Sequence, residues 1–140
     1  MSKPKLFPDG IVIPSSTDYL ADVDRLLEGK FTEAGIDPST IADVAIAVSE
    51  LVNNAIVHGN GSDVSREVEV RFSILDTEVR VTVCDQGKGF DLHRVKNPLD
   101  DDNLLKEVGR GLFIVRNFVD DVSVARGPSG GTCVKIVKKL

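Results

Sequence analysis

Glu50 and Asn54 are the first candidates for chemistry, because they lie four residues apart in the stretch SELVNNAIVHG (49–59). Residues four apart share one face of a helix. A carboxylate and an amide on one face can bind a hydrated cation through two oxygens, and Mg²⁺ suits such a site because it keeps several waters. The alternative is a solvated polar stripe on an amphipathic helix. His58 is better explained as a helix-end residue than as a ligand.

A second cluster is the stretch CDQGKGF (84–90), which follows a predicted strand. Asp85 at the end of that strand could accept a hydrogen bond from an exocyclic amine. Gly87 and Gly89 would let the backbone approach a flat or charged ligand closely. The alternative is a glycine-rich turn with a local hydrogen bond to the aspartate.

The third cluster is Gly109-Arg110-Gly111, directly before an apolar helix. Two glycines at the start of a helix present backbone N–H groups and the positive end of the helix dipole, which suits phosphate. The guanidinium of Arg110 also matches phosphate oxygens. The alternative is a flexible hinge. The P-loop GxxxxGK[ST] motif and the dinucleotide GxGxxG motif are both missing from the sequence.

Two helices are predicted in the first 58 residues, and the second of them carries Glu50 and Asn54. Apolar residues at helical spacing follow a cap at Ser15 or Ser16 and predict a helix to about Ala34. Asp37 followed by Pro38 is typical of a second helix start, and this helix should continue to His58, before Gly59.

The remaining pattern predicts strands and one more helix. Apolar and polar residues alternate strictly over 67–74 and 79–83, which is typical of a hairpin of two half-buried strands. We therefore predict an α+β two-layer sandwich, with a mixed, largely antiparallel sheet and helices on one face. The other predicted elements are a first strand at Ile11–Ile13, a long loop over 86–108, a helix from Gly111 to Val119, and strands at 122–124 and 133–137.

The composition suits a single domain over residues 1–140, and the net charge of -5 argues against nonspecific binding to nucleic acid or membranes. The chain has neither a signal-like N-terminus nor an apolar run of about 20 residues, so a cytoplasmic location is expected. Cys84 and Cys133 lie in strand-like runs, and we expect buried, reduced thiols there.

The order of these clusters decides between the alternatives. An ExxxN helix, a DxGxG turn, a long loop, a GxG helix start and a late Gly131-Thr132 pair occur in that order in one chain. This order resembles the ATP-binding domain shared by gyrase, the heat-shock chaperone, sensor histidine kinases and the mismatch-repair ATPase. Within that superfamily the chain looks most like the bacterial anti-sigma-factor serine kinases. The stretches SELVNNAIVHG, DQGKGF, GRGLFIVRNFVDDVSV and GTCVKI carry the likeness.

The resemblance implies a role for each candidate residue. Glu50 would be the general base that activates the attacking hydroxyl or water, and Asn54 would hold Mg²⁺ against the phosphates of ATP. Asp85 would accept a hydrogen bond from the adenine amino group, with Thr132 supporting that end.

The resemblance places the other candidates around the nucleotide. Gly87 and Gly89 would clear room for it, while Gly109 and Gly111 would bring the helix start to the phosphates. Lys88 and Arg110 are the nearest cations for phosphate contact. The ATP lid would lie within the 86–108 segment, over 90–108.

The function implied by the resemblance is that of an ATP-dependent serine/threonine kinase. It would phosphorylate a small anti-anti-sigma protein, bind a sigma factor and so regulate transcription without touching DNA. The family commonly dimerises through its first strand and helix, so Ile11 to Leu27 is a candidate homodimer interface. Two alternatives are a non-catalytic ATP-binding switch module that regulates a protein partner, and an ATP-hydrolysing subunit of a larger complex.

Overall fold

The computed structural model describes residues 3–87, 111–128 and 130–140, which form a six-stranded sheet with helices packed on one face. The strand order is β1-β2-β3-β4-β6-β5, and every neighbouring pair is antiparallel. The strands are β1 (Lys5–Phe7), β2 (Gly10–Pro14), β3 (Glu67–Ile74), β4 (Glu78–Cys84), β5 (Asp121–Arg126) and β6 (Thr132–Lys139).

The helices begin with a 3₁₀ turn at Thr17–Tyr19, which leads into α1 (Leu20–Glu33). Helix α2 (Pro38–Asn54) continues into a single π-helical turn, Ala55–Gly59. The described part of α3 covers residues 111–118. The two helices predicted from spacing are therefore present, and the second one reaches His58 through the π turn.

The predicted helix ends have the expected local chemistry. Ser16 caps the 3₁₀ turn by accepting from the N–H of Asp18. The Oδ2 atom of Asp37 accepts from the N–H of Ser39 at 3.1 Å, with Pro38 in the first helical turn. The Ser39 side chain, and then its backbone N–H, hold the pKa of Asp37 below 3.8. This contribution to stability is present above the ordinary pKa and is lost as the pH falls through the lower folded-state value.

The alternation in β3 and β4 determines which face of the sheet packs on the helices. Val68 and Val70 of β3 and Val81 and Val83 of β4 are buried. The residues between them point to the opposite face, because side chains alternate along a strand. Phe31 of α1 packs edge-on against Phe72 of β3, with ring centroids 5.9 Å apart. The prediction of an α+β fold with helices on one face is confirmed.

Strand β1 is the element that sequence patterns missed. It has three residues, all exposed, so it shows no alternation of buried and exposed positions. It pairs with β2 across a turn at Pro8 and Asp9. A Cβ atom on Gly10, the first residue of β2, would overlap the carbonyl oxygen of Val70, so this position needs glycine to let β2 approach β3. The predicted first strand at Ile11–Ile13 is therefore the second strand of the sheet.

Helix α2 with its π turn, Pro38–Gly59, is the one helix among the described residues that by length and composition could cross a membrane. Its residues Val44, Val48 and Val52 are instead at most 2% exposed and belong to the core cluster with residues of α1 and the sheet. The helix is therefore apolar because it is the central core helix of this domain.

Cys84 and Cys133 form a disulfide, so the expectation of reduced thiols was wrong for this structure. The register of β4 and β6 places the two residues directly opposite each other, with Cα atoms 4.1 Å apart. Both are half-buried, on the sheet face opposite the one that Val83 packs on the helices. The sequence shows that the cysteines are 49 residues apart, but the strand register that brings them together is a tertiary property.

Removal of this disulfide should lower the free energy of unfolding by about 4 kcal/mol, the chain-entropy value for a closed loop of this length. The change is the double variant Cys84→Ser and Cys133→Ser, compared with the oxidised protein by urea unfolding. Reductant should lower the stability of the wild-type protein and leave that of the double variant unchanged. Equal unfolding midpoints for the oxidised protein and the double variant would contradict the prediction.

Candidate functional site

Asp85 lies directly after β4 and is 8% exposed. Its backbone N–H donates to the carbonyl of Thr132 at 2.9 Å, continuing the β4–β6 pairing by one residue. Its side-chain Oδ1 accepts from the N–H groups of Gly87 at 3.0 Å and Thr132 at 3.1 Å. Both hydrogen bonds to the carboxylate within the described residues use Oδ1, which sets the orientation of the group, while Oδ2 lies against Gly59.

Three glycines surround this carboxylate: Gly59, Gly87 and Gly131. A Cβ atom on Gly59 would overlap Oδ2 of Asp85, and one on Gly131 would overlap the Asp85 carbonyl oxygen. A Cβ atom on Gly87 would overlap the carbonyl oxygen of Gly59. The end of α2, the end of β4 and the start of β6 thus meet at backbone contact distance, which requires residues without a side chain.

Asn54 lies at the last position of α2, next to the first described residue of α3. A Cβ atom on Gly111 would be 2.6 Å from the amide nitrogen of Asn54, so the two residues are in contact. The structure thus brings the ExxxN helix and the described start of α3 together at these two residues.

Glu50 is one helical turn before Asn54, and its side chain is partly exposed. No described residue pairs with its carboxylate. It lines an open cleft of about 450 Å³ between α1 and α2. The other lining residues are Leu20, Ala21, Asp24, Ala45, Ile46 and Ser49. A carboxylate at the rim of an open cleft can be reached by a group on another protein.

The donor set suits Mg²⁺ only together with a phosphate ligand. Within the described residues there is no cluster of three or more His, Cys, Asp or Glu side chains that could hold a metal alone. Mg²⁺ is commonly bound by one or two side chains together with substrate phosphates and waters. An amide oxygen at Asn54 with a carboxylate one turn away matches that pattern.

The described residues bring together six of the predicted site residues in two neighbourhoods. Asp85, Gly87 and Thr132 form one, and Asn54 and Gly111 form the other, with Glu50 on the same helix as Asn54. The predicted contacts of Lys88, Gly89, Gly109 and Arg110, and the lid over 90–108, lie outside the described residues.

Sequence reasoning missed two parts of this site. Gly59 was interpreted as a helix stop, although its lack of a side chain also admits the Asp85 carboxylate. Asn60, which follows it, is 1% exposed and donates and accepts three side-chain hydrogen bonds. An Asn-Gly pair at 60–61 looks like an ordinary turn, so only burial reveals this role.

The fold and this site define an ATPase-domain protein. Residues 13–138 match the family model described as the histidine kinase-like ATPase domain. The chain therefore belongs to the histidine kinase-like ATPase domain family.

The more particular likeness is to bacterial serine-protein kinases. The serine-protein kinase RsbW of Staphylococcus epidermidis is 34% identical over 136 residues, covering 91% of this chain and 84% of that protein. The serine-protein kinase RsbW of Staphylococcus aureus is 32% identical over 135 residues, with the same coverage of 91% and 84%. The predicted resemblance to anti-sigma-factor serine kinases is confirmed.

Solved structures support the same fold. The RsbU and RsbW domains of a Mycobacterium tuberculosis protein match with a TM-score of 0.66 and 26% identity, covering 99% of this chain and 33% of that chain. The catalytic domain of the histidine kinase ThkA matches with a TM-score of 0.55 and 13% identity, covering 94% of this chain and 97% of that chain. The second likeness shows a shared fold alone.

Proposed function

We propose that this protein is an ATP- and Mg²⁺-dependent serine/threonine protein kinase that acts as an anti-sigma factor. It phosphorylates a small anti-anti-sigma protein and thereby controls the availability of a sigma factor. The observation that carries the proposal is that α2 and its π turn reach both groups: Asn54 contacts Gly111, and Gly59 contacts Asp85 in its glycine shell. The relatives named serine-protein kinase RsbW support the reaction class.

The adenine end of the site is formed by Asp85. Its Oδ1 is held by the N–H groups of Gly87 and Thr132, so Oδ2 accepts from the exocyclic amine of adenine without rearrangement. A carboxylate whose position is fixed before binding loses little conformational entropy when the base arrives. The resemblance gives Gly89 the role of clearing room for the nucleotide.

The phosphate end is formed by Asn54 and the start of α3. The amide oxygen of Asn54 holds Mg²⁺, which when bound neutralises charge on the phosphates. Gly111 presents the described start of α3 to the phosphates with no side chain in the way. The resemblance gives Gly109 the same role. Arg110 and Lys88 supply positive charge to the phosphate oxygens.

Glu50 acts as the general base. It accepts the proton of the serine hydroxyl that attacks the γ-phosphate, and the open cleft between α1 and α2 gives that serine access. Phosphoryl transfer depends mainly on positioning and charge neutralisation, so the base contributes less than the groups that hold the phosphates.

The partners of this kinase are proteins, and it contacts neither nucleic acid nor membrane. The net charge of -5 agrees with that choice. A homodimer is part of the proposal, but Ile11, Ile13, Val23 and Leu27 of the predicted Ile11–Leu27 interface are in the core of this chain. We therefore place the dimer contact on exposed residues of that segment and of the adjacent edge strand β1, where Leu6 is 70% exposed.

A cytoplasmic location is also proposed, because a kinase of bacterial regulators works where ATP is supplied. Thiols are kept reduced in that compartment. The Cys84–Cys133 disulfide would therefore be exposed to reduction in that compartment.

The test of the proposed function combines binding with transfer. We expect calorimetry with ATP and Mg²⁺ to show one binding site per chain, and radiolabelled ATP to yield phosphoserine on a candidate anti-anti-sigma protein. Binding without transfer to any candidate would favour the non-catalytic switch module. Release of phosphate without a labelled protein would favour the ATP-hydrolysing subunit. Absence of ATP binding would reject all three.

A further inference from the structure

Asn60 is buried between the helix that carries Glu50 and the strand that leads to Asp85. Its backbone N–H closes the π turn by donating to the carbonyl of Ala55 at 2.8 Å. Its side-chain Nδ2 donates to Ser15 Oγ at 2.8 Å and to the Glu67 carbonyl at 3.0 Å. Its Oδ1 accepts from the N–H of Gln86 at 2.8 Å. Both amide protons and one acceptor position are therefore used inside the protein.

The position of this carboxamide in the sheet is unusual. The register of β3 and β4 pairs Glu69 with Cys84, so an uninterrupted ladder would pair Glu67 with Gln86. Because the N–H of Asp85 points to β6, the N–H of Gln86 points to β3, where it would normally meet the Glu67 carbonyl. The Asn60 side chain replaces this hydrogen bond between Gln86 and Glu67, since its Oδ1 accepts from the Gln86 N–H and its Nδ2 donates to the Glu67 carbonyl.

The Gln86 side chain completes the replacement. Its Oε1 accepts from the N–H of Glu67 at 2.7 Å, where an uninterrupted ladder would use the Gln86 carbonyl. Two side chains thus substitute for the last pair of ladder hydrogen bonds between β3 and β4. The backbone separates from β3 at the residue after Asp85 and turns towards Gly87, whose N–H donates to Asp85 Oδ1.

We propose that Asn60 is a positioning residue for base recognition: its carboxamide, inserted between β3 and β4, holds Gln86 and thereby orients the Asp85 carboxylate towards the exocyclic amine. Asp85 is held on its other side by Thr132, so Asn60 and β6 clamp the turn from opposite edges. Asn60 also joins this turn to the end of the helix that carries Asn54 and Glu50. The inference rests on the proposed binding of ATP.

The test measures base discrimination and not stability alone. The probes are ATP and purine riboside triphosphate, which lacks the 6-amino group, and the quantity is the ratio of their dissociation constants. We expect Asn60→Ala to reduce the wild-type preference for ATP at least about fivefold, because a displaced Asp85 no longer accepts a hydrogen bond from the 6-amino group. Ser15→Ala is the matched control, since it removes one partner of Asn60 and leaves the bond to Gln86 in place. It should retain the wild-type ratio.

A second pair of variants reaches the same hydrogen bond from the exposed side. Gln86→Pro removes the backbone N–H that donates to Asn60 Oδ1. Gln86→Ala removes the same glutamine side chain but keeps that N–H. We expect Gln86→Pro to lower the ATP preference and Gln86→Ala to keep it. This comparison tests the inference even when Asn60→Ala does not fold, because Gln86 is exposed and both variants keep the side chains of Asn60 and Ser15.

The outcomes separate the inference from the proposed function. If the wild-type protein binds neither triphosphate, the proposed function fails, and the inference fails with it. If the wild-type protein prefers ATP and both Asn60→Ala and Gln86→Pro retain that preference, only the role of Asn60 is overturned. Faster exchange of the Gly87 amide in either variant, together with the lost preference, supports the positioning of Asp85 through Gln86.

Discussion

The Glu50→Gln variant should bind ATP within about threefold of the wild-type affinity and transfer phosphate at least about 100-fold more slowly. The reason is that Glu50 lies at the rim of the cleft between α1 and α2, on the same helix as Asn54 but away from the Asp85 carboxylate and its glycines. Glutamine retains the shape of the side chain and cannot accept the proton of the attacking hydroxyl. Binding is measured by calorimetry and transfer by phosphoserine formation.

The matched control for this prediction is Glu33→Gln. Glu33 is exposed at the last position of α1, so the substitution makes the same change in charge without touching the cleft. It should leave both measurements near the wild-type values. A Glu50→Gln protein that transfers phosphate at the wild-type rate would remove Glu50 from catalysis, although the protein could still be a kinase with another base.

The Asp85→Asn variant should lose roughly 10- to 100-fold in ATP affinity, the range expected for a hydrogen bond to a charged group. The asparagine oxygen can still accept from the N–H groups of Gly87 and Thr132, so the fold should remain intact. Its nitrogen then occupies the position of Oδ2 and presents donors to the adenine amine, which is itself a donor. Purine riboside triphosphate should bind the variant and the wild-type protein equally.

Asp76→Asn is the control for this second change. Asp76 is exposed in the turn between β3 and β4, at the other end of β4 from Asp85, and the charge change is the same. Its ATP affinity should not change. Equal losses for ATP and for purine riboside triphosphate in Asp85→Asn would show that the carboxylate supports the site generally and does not recognise the amine.

Local sequence determined most of the elements of this protein, although not the short exposed strand β1. Alternation in 67–74 and 79–83 predicted β3 and β4, because a strand with one buried face must repeat every two residues. The spacing of apolar residues and the Asp37-Pro38 start predicted α2, because one helical face must meet the core. The order of polar clusters along these elements then indicated the family, which the comparisons confirmed.

Tertiary structure alone decided how those elements meet. The register of β4 and β6 places Cys84 opposite Cys133 and Asp85 opposite Thr132, and the sequence of either strand is compatible with other registers. The expectation of reduced thiols at Cys84 and Cys133 was wrong because it did not include this register, which brings the two residues together in a disulfide.

The closest contacts of the site also depend on the assembled fold. Gly59 and Asn60 belong to a helix end in the sequence, yet one makes room for the Asp85 carboxylate and the other is bonded to the next residue, Gln86. Sequence patterns report which groups are polar, apolar or small, because those properties are local. Which of them lie within hydrogen-bonding distance depends on how helices and strands pack, and that is set by the whole chain at once.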